Sequence, residues 1–152
     1  GVQYDFAVCL DIVHDCPFPD KVLASIFRHL KPGGTLLIKD IKSTGSFPMN
    51  LKKIPSLATL YGFSVSSCLS SAMSVPGGMG LGTLGFNPAV AKGMCTDAGF
   101  IAFTQHDFKD PANLYYEMEK PGGIPALTTS PVTAIDLSLI PGPSYCKCHS
   151  HL

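Results

Sequence analysis

Net charge is what this sequence has least of. Eleven Lys and Arg residues are matched by eleven Asp and Glu, a formal charge of zero with the histidines neutral. No field therefore draws a nucleic-acid backbone or an anionic membrane surface towards it, and neither partner is expected. Charged side chains are absent altogether from Ile54 to Ala91. An unbroken stretch of that kind would suit a membrane, but three prolines, six glycines and many serines interrupt this one. No window reaches the roughly 18 consecutive apolar residues of a spanning helix, so a buried lid is the expectation instead. A secretory signal with a basic start and an apolar centre is also lacking. The six cysteines (Cys9, Cys16, Cys68, Cys95, Cys146 and Cys148) stand in dissimilar contexts rather than at framework spacings. The chain is read as reduced, intracellular and cytoplasmic.

What is present favours a folded core: 45% of the 152 residues are hydrophobic, enough for one globular domain. Tyr4-Asp5-Phe6-Ala7-Val8-Cys9-Leu10 is a short apolar strand, and Asp11, His14 and Asp15 gather just beyond its end, where polar residues often line a site. Pro19 suits a first helical turn, and Val22, Leu23, Ile26, Phe27 and Leu30 share one helical face. Lys31-Pro32-Gly33 is read as the helix stop, with Gly33 supplying a left-handed closing residue. The apolar run from Thr35 to Ile38 then makes a strand that ends in an acid, Asp40. This strand, helix, strand unit should be parallel and right-handed.

Residues Met49 to about Met73 read as helix in two pieces broken near Gly62. A glycine-rich segment, Pro76 to Gly85, follows, and Asn87 and Pro88 then cap and open a helix that Gly99 ends. Phe100 to Thr104 and Asn113 to Met118 are strands joined by so short a connection that they must be antiparallel. From Glu119 the pattern dissolves: five prolines fall between Pro121 and Pro143, and a disordered tail over 119–152 is expected.

Taken together, Tyr4 to Leu10, the Asp11-Ile12-Val13-His14-Asp15 segment, Leu30-Lys31-Pro32-Gly33-Gly34 and the closing antiparallel pair resemble the second half of a class I S-adenosylmethionine-dependent methyltransferase. The resemblance covers residues 1–118. Tyr61, Ser64, Cys68, Gly80-Leu81-Gly82, Gly85 and Asp97-Ala98-Gly99-Phe100 are similar to a largely uncharacterised subgroup, many of whose members carry an N-terminal winged helix. It implies an α/β fold: a partial Rossmann-like sheet containing the last four strands of seven, the final two antiparallel, with helices around it. It implies S-adenosylmethionine as cofactor, held in part by Leu10, Asp11 and His14, with His14 and Asp15 catalytic. Tyr61, Ser64, Cys68, Gly80 and Gly82 would belong to a substrate lid.

The family's principal cofactor loop, a glycine-rich turn after the first strand, and the acid closing the second strand have no counterpart in this chain. At about 30 residues for each strand-helix unit, three such units place about 90 residues before Gly1. On its own the chain is expected to be catalytically incompetent or severely impaired.

Each motif has a plainer reading beside it. Methyl transfer needs an acceptor aligned with the sulfonium carbon and often a base for its proton, which a neutral imidazole can supply. Alternatively, Asp15 starts the next turn and His14 is a satisfied loop residue. Gly80-Leu81-Gly82-Thr83-Leu84-Gly85 spells GxGxxG, with Asp107 about 20 residues beyond, but no apolar strand runs into its first glycine and the helix opens only after Asn87. A flexible loop closing over the substrate is expected there rather than a nicotinamide or flavin site. Cys68 is either a nucleophile or, as is commoner, a structural thiol. Cys146-Lys147-Cys148-His149-Ser150-His151 holds soft ligands at a spacing that fits no common structural zinc site, so no metal centre is assigned. His106 and Asp107 read as solvated turn residues.

The expected function is methyl transfer to an unidentified small-molecule acceptor. The alternatives are a non-catalytic interaction module, whose exposed sheet edge at Tyr4 to Leu10 invites strand pairing, oligomerisation or aggregation, and a nicotinamide- or flavin-binding oxidoreductase.

Overall fold

In the computed structural model, residues 1–122 are described. Burial alternates along the central strand β2 (Leu30–Ile41): Gly34, Leu36, Ile38 and Asp40 turn inward while their neighbours are only half-buried. That period of two is what a strand covered on one face requires. β1 (Tyr4–Leu10) lies parallel to β2, with Phe6 opposite Thr35 and Leu10 opposite Lys39. On the other side β4 (Asn113–Glu119) runs antiparallel to β2, and β3 (Ile101–His106) runs antiparallel to β4. The sheet order is β1-β2-β4-β3. The expected parallel unit and closing antiparallel pair are both present.

The crossover between β1 and β2 is α1 (Pro19–His29), which opens with Pro19 in its first turn and lays Leu23, Ile26 and Phe27 on the sheet. It stops earlier than the sequence predicts. Leu30 is already extended at φ −78° and ψ 143°, and Gly33, at φ +78°, turns the chain inside the opening of β2. Two causes converge. Pro32 disfavours helical geometry at Lys31, and the Lys120 ammonium donates to the carbonyls of Phe27 and Leu30 at 2.7 Å each, capping the last turn.

The expected two-piece helical region has its break elsewhere. α2 (Phe47–Lys53) and α3 (Leu57–Phe63) are separated at Ile54–Ser56, where Pro55 sits, and Gly62 lies inside α3. α3 passes through a π turn, Ser64–Cys68, into α4 (Leu69–Ala72). The uncharged stretch is not buried throughout, for Tyr61, Phe63 and Val65 are exposed and only Ile54, Leu57 and Leu84 form a small second cluster. α5 (Pro88–Asp97) is capped as expected: the Asn87 side chain accepts from the amides of Ala89 and Val90. Gly99, at φ +103°, closes it with Gly99 N–H to Thr96 O and Phe100 N–H to Cys95 O, the paired bonds of a Schellman end.

The main core joins Val13, Leu23, Leu36, Ile38, Phe86, Ala91, Tyr116 and Met118. Each such fully buried aliphatic side chain contributes about 1.5–3 kcal/mol. Burial pushes the Cys9 thiol up to about 11 and that of Cys95 up to about 12, leaving both inert. The expected tail lies, from residue 123 on, outside the described residues; Glu119 still closes β4, and Lys120 exchanges backbone bonds with Gly33 and Gly34. No helix of the described residues is long and apolar enough to cross a membrane.

Gly34 lets two backbones meet. A Cβ there would stand 2.9 Å from Lys31 O and 3.2 Å from Asp5 O, both main-chain atoms with little room to retreat. Gly34→Ala is expected to lower the unfolding free energy by about 1–3 kcal/mol in urea denaturation, with an unchanged slope.

Candidate active site

The chain leaves β1 through Asp11, a non-glycine residue at φ +54°, a conformation that aspartate tolerates better than most. The Asp11 amide donates to Lys39 O at 2.9 Å, and its Oδ2 accepts from Lys39 Nζ at 2.5 Å, fastening the ends of β1 and β2 together. The Asp11 hydrogen bond is the main reason the Lys39 ammonium is held above its usual range. Asp11 Oδ1 is buried and has no hydrogen-bond partner among the described residues. Leu10, beside it, is exposed. The two residues thus stand at the carboxyl ends of the parallel strands, the place where open α/β sheets commonly take a ligand.

A single 3₁₀ turn, Val13–Asp15, follows. Val13 is wholly buried in the core, and this anchor drives His14 inward until only 3% of it is exposed. There the imidazole Nδ1 lies 2.7 Å from Oδ1 of Asp40, which is itself completely buried and also accepts from the Ile41 amide at 2.8 Å. A carboxylate can only accept, so in the neutral ring Nδ1 carries the proton and Nε2 keeps the lone pair. Nε2 faces Asp15 Oδ1 at 3.4 Å, near enough for charge attraction but without hydrogen-bond geometry. Burial alone would lower the His14 pKa; the hydrogen bond and charge of Asp40, with the charges of Asp15 and Asp11, outweigh it and raise it overall. The plain alternative for His14, a satisfied loop residue, is half met. One ring nitrogen is satisfied, and the other has no hydrogen bond among the described residues.

Cys68 approaches from the π turn, so that one ligand atom each from His14, Asp15 and Cys68 lies within 4.8 Å of the others. Burial raises the Cys68 thiol pKa, which argues against a ready nucleophile. Ser64, at the other end of that turn, accepts from the Thr83 amide at 3.2 Å. Gly82 is buried against it, since a Cβ at Gly82 would fall 2.5 Å from Ser64 Oγ. The glycine segment is therefore not a free flap. Gly80 and Gly82 take φ +64° and +66°, Thr83 and Leu84 are buried, and the Met79 amide bonds to Pro17 O at 2.8 Å. Its glycines serve tight turns and close approach to the π turn and α4.

Of the residues predicted for the site, His14, Asp15 and Cys68 come together, while Gly82 meets Ser64 and both Gly80 and Gly82 approach Leu69. Tyr61 turns instead to the ring of Phe47 at 5.8 Å. Leu10 and Asp11 hold the adjoining strand end. His106 is paired with Glu117 at 2.7 Å and stacked on Phe108, rather than solvated. Asp40 and Lys39 are the additions that sequence reasoning missed. The signal for Asp40 was its phase, two residues beyond Ile38 on the inward face. Two surface concavities, of about 210 and 400 Å³, lie beside α1, and neither is lined by the His14 cluster.

Asp40→Ala would strip a buried partner from both His14 and the Ile41 amide. A loss of about 3 kcal/mol is expected in urea denaturation, and Asp40→Asn, which keeps an acceptor oxygen, should lose about 1 kcal/mol.

Comparison with known proteins adds three findings. The family described as "Methyltransferase domain" matches residues 2–38, the segment from β1 into β2. No curated protein matches the chain. Among solved structures, an O-methyltransferase family protein from Burkholderia thailandensis is similar at 19% identity and TM-score 0.56, over 82% of this chain and 32% of that one. Human N-acetylserotonin methyltransferase in complex with SAM is similar at 18% identity and TM-score 0.53, over 78% of this chain and 30% of that one. The chain thus spans about a third of the length of these structures. At these identities the likeness establishes the fold.

Proposed function

We propose that this chain, with the Rossmann-like fold of class I S-adenosylmethionine-dependent methyltransferases and a methyltransferase-domain match over residues 2–38, forms the acceptor-side wall of a methyl-transfer site. The observation that carries the proposal is the buried Asp40-His14 pair at 2.7 Å, placed beyond the carboxyl end of β1 with Nε2 lacking a hydrogen bond. S-adenosylmethionine, when bound, supplies an electrophilic methyl group. Asp11 Oδ1, buried without a partner, and the exposed Leu10 side chain suit one edge of such a ligand.

This chain's own part is orientation and proton handling. Asp40 fixes the ring of His14 and its tautomer; Nε2 can then accept the proton that a hydroxyl or amine acceptor loses on methylation. Asp15 steadies the positive charge that follows. The uncharged surroundings at Ser64, Cys68 and Thr83 favour a small or apolar acceptor. Cofactor affinity in this chain alone should be poor, because among the described residues no strand runs directly into a glycine-rich turn that could cradle the remainder of the ligand.

Amide chemical shifts of the isotope-labelled chain, recorded against S-adenosylhomocysteine, test this reading. Weak, millimolar perturbation confined to Leu10–Asp15 and Lys39–Ile41 is expected. Micromolar binding would overturn the claim of incompetence, and no perturbation there would remove the cofactor wall. Perturbation of Gly80–Gly85 by a nicotinamide dinucleotide would favour the oxidoreductase reading.

A second reading draws on a separate observation. β1 is the edge of the described sheet, and Tyr4, Phe6, Val8 and Leu10 are each about half exposed along it. An unpaired apolar edge pairs readily. Sedimentation should show concentration-dependent self-association that Val8→Lys weakens; a monodisperse monomer at all concentrations would dispose of the interaction-module reading.

A further inference from the structure

We propose that His14, Asp15 and Cys68 form a three-ligand site for a zinc-class divalent cation, with Asp40 orienting the histidine from behind. The site goes beyond methyl transfer and does not depend on it. The donors are a borderline imidazole nitrogen, a carboxylate oxygen and a soft thiol sulfur, the set from which zinc sites with an open fourth position are made.

Three observations carry it. First, one ligand atom from each residue lies within 4.8 Å of the other two. Bonds of about 2.0–2.3 Å to a tetrahedral ion set ligand atoms about 3.3–3.8 Å apart. His14 Nε2 and Asp15 Oδ1 already stand at 3.4 Å, so only Cys68 needs to close in. Second, His14 is 97% buried, as its 3% exposure leaves it, and Nδ1 is committed to Asp40. That directs the Nε2 lone pair at the cluster, the carboxylate-histidine relay by which metal-binding imidazoles are held. Third, polar atoms around the cluster are unsatisfied. Asp15 Oδ1 is buried without a hydrogen bond, and so is the Oγ1 of Thr83, a residue only 3% exposed that neighbours the Cys68 thiol. A cation would engage the first, and the second stands beside the thiol that the cation would draw in.

On binding, the Cys68 thiol passes its proton to solvent as the metal-sulfur bond forms, and His14 coordinates as the neutral ring. Two ligand negative charges then balance the dication. The ion takes the same lone pair that proton acceptance needs, so metal and acceptor proton exclude one another at Nε2.

The test uses the full chain carrying Cys146→Ser and Cys148→Ser, because the terminal Cys146-Lys147-Cys148-His149 cluster could bind metal by itself. Titration with Co²⁺ should raise a thiolate-to-cobalt absorption that saturates at one equivalent and is displaced by Zn²⁺. Adding Cys68→Ser should abolish it with the circular dichroism unchanged, and Asp40→Asn should weaken affinity about 10- to 100-fold. Should Cys68→Ser fail to fold, alkylation of the tail-substituted chain decides: Zn²⁺ should slow Cys68 at least tenfold and leave Cys16 unaffected. Absence of the band, its survival in a folded Cys68→Ser chain, binding that does not saturate, or Cys68 left unprotected would each overturn the site.

Discussion

The inward phase of β2 is the constraint on which the rest of the structure hangs. It places Gly34, Leu36, Ile38 and Asp40 in one buried row, and the four positions make different demands. Gly34 lets the chain pass close to β1, Leu36 and Ile38 fill the core beneath α1 and α5, and Asp40 brings a carboxylate where no water can solvate it. An acid so placed needs a hydrogen-bonding partner. His14 is that partner, and Val13 is the anchor that delivers it. Core and site are therefore parts of one arrangement: the strand that completes the hydrophobic layer also sets the histidine.

The same constraint explains why the neighbourhood is rich in unmet polar atoms. β1 and β2 end together, tied by Asp11 and Lys39, and the 3₁₀ turn must then carry His14 back under α4. Asp11 takes a left-handed backbone to do so. Left-handed backbone at Asp11 and buried acceptors without partners among the described residues therefore cluster at this end of the sheet. Elsewhere the polar groups are better served. Asp110, at the β3-β4 connection, collects the side chains of Asn113 and Tyr115 and two backbone amides, which hold its carboxyl well below the usual range.

Much of the fold was legible because its punctuation is local. Pro19, Asn87 and Gly99 start, cap and close helices through groups within a few residues of themselves, and each acts as its chemistry predicts. The misreadings concern residues governed from a distance. The end of α1 is set partly by Lys120, 93 positions beyond the Phe27 carbonyl that it binds. The Gly80–Gly85 run looked mobile because glycine is permissive, whereas its positive φ values serve close contact with Ser64 and Leu69. His14 and Asp15 could be found from their place after a strand. Asp40, 26 residues from His14, needed the register of β1 against β2 before it could be recognised as a partner.

The clasp that Lys120 makes with α1 also joins the end of β4 to the start of β2. Its backbone pairs with Gly33 and Gly34, at the opposite end of β2 from Asp40. Six residues of strand lie between, about 20 Å at the usual rise. The helix clasp and the carboxylate that sets the histidine are thus held at opposite ends of one strand, and a change at either end is separated from the other by the whole buried row between them.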